Sequence, residues 1–314
     1  KPIPLEDPVE QVPTAAELQA SLEDNGSTRE VTLYYKDLMG YLVPVNCEIP
    51  WEEGIAKATL KQMVSSEEND LQAARLGLLT ALPEGLQVDM DIIGQTAKVS
   101  LSDECMKCVD AEEENAMVCA IVSALTEFDS IEEVQLLVDG EQVDHLTHGT
   151  NVGAPLTRAD LNIESVSADT DLNGSSAVQV FFESEASGCM VPVTRTVFSN
   201  PDVDTAVLEL LKGPKEDSGL AGCLPRGVGL ISVKQKDGIV TINMSKEFKQ
   251  VVDQADGGAA AVKALVLTCS QFDGVKEVKL QVEGEDFQLE TETLAATSVV
   301  NTEQEALMAS AVIE

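Results

Sequence analysis

Phe128-Asp-Ser-Ile-Glu-Glu-Val134 returns further along the chain as Phe272-Asp-Gly-Val-Lys-Glu-Val278, and both run on to a Gly-Glu pair, at Gly140 and Gly284. Four more blocks upstream keep the same order. Val31-Thr-Leu-Tyr-Tyr35 recurs as Val178-Gln-Val-Phe-Phe182, and Leu42-Val-Pro-Val45 as Met190-Val-Pro-Val193. Leu82-Pro-Glu-Gly85 recurs as Leu224-Pro-Arg-Gly227, and Val99-Ser-Leu-Ser102 as Ile242-Asn-Met-Ser245. Order kept over so many blocks marks a duplicated supersecondary unit. The spacing drops from 148 to 142 residues between the second and third blocks, so the first copy carries six extra residues. They fall near Glu67 to Leu79 and are expected to form an enlarged loop.

Each block reads as a structural element. Val31 to Tyr35 and Leu42 to Val45 are short β-rich runs around a glycine turn, which predicts a hairpin. A helix follows in both copies. In the second, Asn200-Pro201-Asp202 reads as an N-cap, a first-turn proline and a dipole-favouring acid. Val203, Val207, Leu210 and Leu211 then keep helical spacing to a stop at Gly213-Pro214. Ala56, Leu60, Met63 and Val64 do the same in the first copy. Two strands come next, Leu86 to Ile92 and Ala97 to Leu101, with counterparts Val228 to Val233 and Ile239 to Met244. The second helix carries the clearest stripe: Val118, Ile121, Val122, Leu125 and Phe128, repeated as Val262, Leu265, Val266, Cys269 and Phe272. A closing strand alternates as Val134, Leu136, Val138 and again as Val278, Leu280, Val282.

The fold expected is α+β: two tandem two-layer α/β modules, each β-β-α-β-β-α-β, with a mixed sheet and helices packed on one face. Residues 1–30, rich in Pro and Glu, read as an extended tether, with a short helix beginning at Thr14. The first module spans 31–164, a linker 165–176, the second module 177–294 and a tail 295–314. In that tail Glu303 to Met308 has the pattern of one more helical turn, with a disordered tail as the alternative.

The chain has 314 residues, room for two or three domains with cores of their own. Its formal net charge of −35 repels phosphate backbones and anionic lipid, so nucleic acid and electrostatic docking on a membrane are excluded as expected partners. No stretch approaches the ~20 apolar residues of a membrane span. The first residue is Lys1 rather than Met, as in a mature or trimmed product, which leaves room upstream for a signal peptide or lipid anchor.

Residues that look chemical are weighed against their sister positions. Cys105-Met-Lys-Cys108 has the spacing of a redox or zinc half-site, but no second ligand pair accompanies it. Phe248 and Val251 stand at the same places in the second copy, so both thiols are expected in the core. Cys269 replaces Leu125 and Cys223 replaces Ala81; Cys47 and Cys189 face Arg195 and Tyr41. Asp169, Asp171 and Asn173, with Gly174, resemble the start of a calcium loop. Val180 then stands where that loop needs a bidentate Glu, so these three residues remain only weak calcium candidates and a turn-rich linker is the plainer reading. His145 and His148 read as surface residues. Glu112-Glu113-Glu114 opens a helix, where acids favour the dipole, and is read as a solvated face. There is no nucleophile elbow, phosphate loop, dinucleotide fingerprint or zinc-protease helix. Neither catalytic nor cofactor-binding residues are assigned, and no metal or cofactor is expected.

The second copy resembles the GerM domain, a family of bacterial sporulation and spore germination proteins. The likeness is carried by Phe181-Phe182, Met190-Val-Pro-Val193, Leu210-Leu-Lys-Gly-Pro214, Leu224-Pro-Arg-Gly227, Asp237-Gly238 with Ile242-Asn-Met-Ser245, and Val278 to Gly284. The first copy lacks the Leu-Leu-Lys-Gly-Pro helix stop. The resemblance covers about 31–145 and 178–290, mostly at core and turn positions. It implies an acidic tandem-repeat protein of the cell envelope, extracytoplasmic, secreted or held as an N-terminal lipoprotein. It also implies a fold similar to the ring-building modules of transenvelope complexes, with no catalytic residues to carry over. The expected function is a non-enzymatic scaffold working through protein–protein interaction, with envelope proteins or further copies of itself as partners. The alternative is a module that binds peptidoglycan or calcium.

Overall fold

The computed structural model describes residues 27–289 and 299–313. The helix expected from Thr14 and most of the tether lie outside the described residues.

The first copy opens with an antiparallel hairpin of β1 (Thr28–Lys36) and β2 (Leu42–Pro50). Strand alternation buries Val31, Leu33, Tyr35, Val43, Val45 and Cys47 on one face. Next come α1 (Ile55–Met63) and α2 (Glu67–Arg75), then β3 (Val88–Ile93) and β4 (Thr96–Leu101). The stripe helix α3 (Ala111–Leu125) crosses to β5 (Glu133–Val138), and a two-residue strand, β6 (Leu156–Thr157), closes the copy. The second copy repeats this as β7 (Ser176–Ser184), β8 (Met190–Val197), α4 (Val203–Leu211), a short β9 (Leu220–Ala221), β10 (Leu230–Lys236), β11 (Ile239–Met244), α5 (Ala259–Ser270), β12 (Glu277–Val282) and β13 (Glu285–Phe287). A last helix, α6 (Glu303–Ile313), ends the described chain.

In each copy the hairpin is separate from a four-stranded mixed sheet, β3-β4-β5-β6 or β10-β11-β12-β13. The parallel pairs are β4–β5 and β11–β12, which the stripe helices connect, and the remaining pairs are antiparallel. Val118, Ile121, Val122 and Leu125 are buried over Ala97, Val99, Leu101, Val134 and Leu136. Their sisters on α5 cover β11 and β12 in the same way, and one cluster of buried side chains runs through both copies. The turn at Asp237-Gly238, with φ of 53° and 85°, takes two left-handed residues in succession, the geometry a two-residue hairpin favours.

Four sequence expectations change. The extra residues of the first copy are not an enlarged loop but the helix α2, started by Ser66, whose side chain accepts the Asn69 N–H. The N-cap of α4 is Asp202 rather than Asn200: its carboxylate accepts the Thr205 N–H at 2.9 Å, and the helix begins at Val203. The tail is helical from Glu303 to Ile313, longer than one turn, and it touches both copies: Ser310 donates to the Arg75 carbonyl at 2.8 Å, and Lys263 of α5 pairs with Glu305 at 2.7 Å.

The fourth change concerns Glu114. Glu112 is exposed, but Glu114 is fully buried. It accepts the His148 N–H at 2.7 Å and the Thr150 N–H at 3.0 Å. The His148 ring donates from Nε2 to the Cys108 carbonyl at 2.7 Å, and Thr147 donates to the Met106 carbonyl. This staples the excursion after β5 to the start of α3. The sister of Glu114 is Gly258, which has no side chain to make these bonds. Burial pushes the Glu114 carboxyl up, but the His148 and Thr150 donors outweigh it and hold the group below its ordinary value.

A folded value below the unfolded one gives stability that is present above the unfolded carboxylate range, about pH 4.3, and is lost as pH falls through the folded value. Urea titration near neutral pH should show Glu114→Ala destabilised by about 3 kcal/mol, since two hydrogen bonds to a buried charged acceptor are lost. The gap between the parent and Glu114→Gln should narrow steadily once pH drops below about 4.

Candidate functional site: the joint between the copies

β2 and β8 face each other across the joint, and two asparagines fill the gap. Asn162 accepts the Leu42 N–H at 2.8 Å and donates to the carbonyls of Leu42 at 2.8 Å and Pro192 at 2.7 Å. Asn301 accepts the Met190 N–H at 2.8 Å and donates to the carbonyls of Met190 at 2.8 Å and Pro44 at 2.9 Å. Leu42 is the sister of Met190 and Pro44 of Pro192, so each bond at one asparagine has its mate at the other. Such reciprocity is the signature of an isologous interface, formed here within one chain.

The backbone follows the same rule. The Asn46 N–H donates to the Asn301 carbonyl at 2.7 Å, and Asn46 bridges Thr302 in parallel. Its sister Thr194 donates to the carbonyls of Leu161 and Asn162, and bridges Ile163 in parallel. At the ends of β1 and β7 the sister residues Asp37 and Ser184 meet, with the Ser184 hydroxyl donating to Asp37 at 2.8 Å. Both are buried. Met39 reaches across as well: a Cβ on Gly219 would stand 2.7 Å from the Met39 Cγ, so a side chain there would displace Met39 from this contact.

Where the copies differ, each satisfies the same need by other means. Arg195 forms a two-pronged pair with Glu164, at 2.9 and 2.8 Å, and donates to the carbonyls of Glu209 and Gly213. It thus ties the end of the first copy to the C-terminus of α4. Its sister Cys47 has no such reach. In the first copy, Asn69 on α2 donates instead to the carbonyls of Lys61 and Val64, at the C-terminal end of α1.

A cleft of about 390 Å³ opens on the joint. Tyr34 and Phe181, sister residues, line it with Pro44 and Pro192. One wall carries a polar cluster: the Tyr34 hydroxyl donates to Glu127 at 2.7 Å, and Arg158 reaches both Glu127 at 2.5 Å and the Tyr34 oxygen at 3.0 Å. Burial first, then the Glu127 charge, pushes the Tyr34 hydroxyl well up, so it stays a donor at every ordinary pH.

The residues singled out from the sequence lie elsewhere. Asp169, Asp171 and Asn173 sit on an exposed turn, where the Asn173 N–H donates to Asp171 at 3.0 Å. Among the described residues, no group of three or more His, Cys, Asp or Glu side chains is gathered as a metal site. Cys105 and Cys108 are buried, and burial pushes their thiols up to about 12 and about 11. Neither is a thiolate near neutral pH. His145 and His148 are both exposed. Sequence reasoning missed Asn162 and Asn301. The signal was a sixth short block, Leu161-Asn-Ile-Glu164 against Val300-Asn-Thr-Glu303, placed after the strands where the comparison had stopped.

Replacing Asn301 by Ala should lower stability by about 3 kcal/mol, near 1 kcal/mol for each of its three side-chain hydrogen bonds. Thermal melts should show Asn162→Ala acting in the same direction, and proteolysis of the double variant should cut first between the copies.

Comparison with known proteins agrees with this architecture. A family model described as Germane, sporulation and spore germination, matches residues 32–144 and 179–288. The chain is 30% identical over 299 residues to the spore germination protein GerM of Bacillus subtilis (strain 168), covering 90% of this chain and 81% of that protein. The solved tandem GerMN domains of the sporulation protein GerM from Bacillus subtilis superpose with a TM-score of 0.75 at 29% identity, covering 88% of this chain and 99% of that one. A duplicated hydrophobic skeleton, one module per matched segment and a joint that pairs them place the chain in one family: it belongs to the GerM domain proteins of sporulation and spore germination.

Proposed function

We propose that this chain is a non-enzymatic scaffold of the cell envelope, which assembles or stabilises a protein complex in sporulation or germination. It acts outside the cytoplasm in this view, held to the membrane by its N-terminal side or secreted. None of the described helices is long and apolar enough to cross a membrane.

The supporting observation is the opposed charge of the two open sheet faces. In each four-stranded sheet one face is covered by helices and the other is open. On the open face of the first copy, Asp89, Asp91 and Ile93 of β3 stand beside Ser100, Lys98 and Thr96 of β4; Lys57 pairs with Asp89 at 2.6 Å, which leaves Asp91 as the acid that β3 presents there. On that of the second, Ser232, Lys234 and Lys236 of β10 stand beside Asn243, Thr241 and Ile239; on β12, Lys279 is paired with Asp286 at 2.8 Å and Glu277 stands beside Ile239, so Lys234 and Lys236 carry the exposed positive charge. At equivalent positions Asp91 becomes Lys234, and Ile93 becomes Lys236. A chain of net charge −35 has few basic patches, and this one lies on a flat sheet face. The first face of one chain therefore complements the second face of another, or a related face on an envelope protein. Heterologous contact of this kind builds rings or filaments, and charge chooses the partner more than it adds affinity.

Light scattering on the full chain should show association that weakens as salt is raised. Asp91→Lys and Lys234→Asp should each reduce it about tenfold, and mixing the two single variants should restore one opposed-charge interface. A chain that remains a monomer in low salt and captures no envelope protein would exclude this role.

A further inference from the structure

We infer that the outer edge of β1 takes up an extended segment of another polypeptide, added as a new strand beside Glu30–Thr32. In an antiparallel ladder, residues alternate between pairs that exchange hydrogen bonds and pairs whose backbone groups point away from each other. Lys36 turns its N–H and C=O outward to Leu79, at 2.8 and 2.7 Å. Thr32 has the same parity on β1 and stands in register with Asn46, whose own N–H points away from β1 to Asn301. The N–H and C=O of Thr32 thus project off the edge, and neither has a hydrogen-bond partner among the described residues.

The second copy shows how that edge is closed. At Gln179, the sister of Thr32, the Gln271 side chain accepts the backbone N–H at 2.8 Å and donates to the backbone carbonyl at 2.6 Å. One carboxamide does what a neighbouring strand would do. The sister of Gln271 is Glu127. An ionised carboxylate has no hydrogen to donate to a carbonyl, and Glu127 is engaged by Tyr34 and Arg158 instead. Exchanging an amide nitrogen for an oxygen leaves one edge capped and its twin open.

The open edge faces a groove of about 450 Å³, which reaches from Arg29 past Thr32 to Asp129. Thr32, Asn46 and Glu127 also border the cleft on the joint, so groove and cleft are adjacent. Glu127 is paired with Arg158, and Glu30 and Asp129 still outnumber Arg29 along the groove, which favours an incoming strand that carries Lys or Arg. Strand addition draws its affinity from main-chain hydrogen bonds and its selectivity from side chains beside the groove. The inference stands on the hairpin geometry and is independent of the sheet-face association proposed above.

The test uses the full chain and an acetylated peptide of alternating lysine and valine, about seven residues long. The control is the same peptide N-methylated at alternate amides. Amide exchange followed by NMR should find the Thr32 N–H unprotected and the Gln179 N–H protected in the free chain. The peptide should slow Thr32 exchange about tenfold or more, and the methylated control should not. Glu127→Gln should cap the edge as in the second copy, protect Thr32 without peptide and weaken peptide binding about tenfold. Should that variant fail to fold, Gln271→Glu gives the converse reading: it should deprotect Gln179 and create a second peptide site. The inference is overturned if Thr32 exchange is unchanged by peptide, or if protection falls only on β3 or β10. It is overturned equally if the methylated peptide binds as well, or if Glu127→Gln binds peptide like the parent.

Discussion

Two strands, β2 and β8, run alongside each other at a distance their own backbones do not bridge, and the two-copy unit depends on how that gap is filled. A primary amide is suited to it, because one planar group offers an acceptor and two donors. Asn162 and Asn301 each take one N–H and two carbonyls, one of them from each copy. The proline of each Val-Pro-Val run belongs to the same solution. Pro44 and Pro192 lie opposite Tyr34 and Phe181, in pairs that exchange no backbone bonds within the hairpin, so the backbone of each proline points into the joint. A residue with an N–H there would need one more acceptor. Proline removes that requirement and leaves only a carbonyl, which the asparagine satisfies.

Around this joint the copies diverge under a constraint, since every buried polar group still needs a partner. The carbonyls at the end of the first helix are met by Arg195 in one copy and by Asn69 of the inserted α2 in the other. The insertion is therefore more than tolerated, because it supplies a donor the first copy otherwise lacks. Asp37 and Ser184 show a different solution, with sister residues unlike each other so that one can donate where the other accepts. Residues that look reactive from the sequence are absorbed by packing in the same manner. The Cys105 thiol is a core group, and Glu114 holds down the excursion that carries His148.

A family of sporulation and germination proteins fits a chain whose unusual polar residues mostly serve its own assembly. In the role proposed, the surfaces that meet other polypeptides are the open sheet faces and the outer edge of β1. Their asymmetry between the copies gives the unit two distinct ends, although its joint is almost symmetric. Duplication followed by divergence of the outward positions gives that result, provided the inward ones stay paired.

The element order, the stripe of α3 and α5 and the alternation of β5 and β12 were legible in the sequence, because solvent exclusion imposes periods of 3.6 and 2 on any chain that folds this way. Sister-position comparison likewise settled Cys269 and Cys223 as core, since apolar residues stood opposite them. The solvated reading of Glu114 failed, because the residues that bury it arrive from a loop more than thirty positions away. The helical nature of the extra residues was missed too: α2 is mostly polar, and Ala73 is the one residue of it that is buried, so it offers little periodicity to read. The duplicated skeleton was thus determined by local pattern alone. The pairing of the copies, the roles of Asn162 and Asn301 and the open edge at Thr32 were decided only in three dimensions. A hydrogen bond depends on which atoms meet, and for these groups the partners lie up to hundreds of residues apart in a chain that only folding brings together.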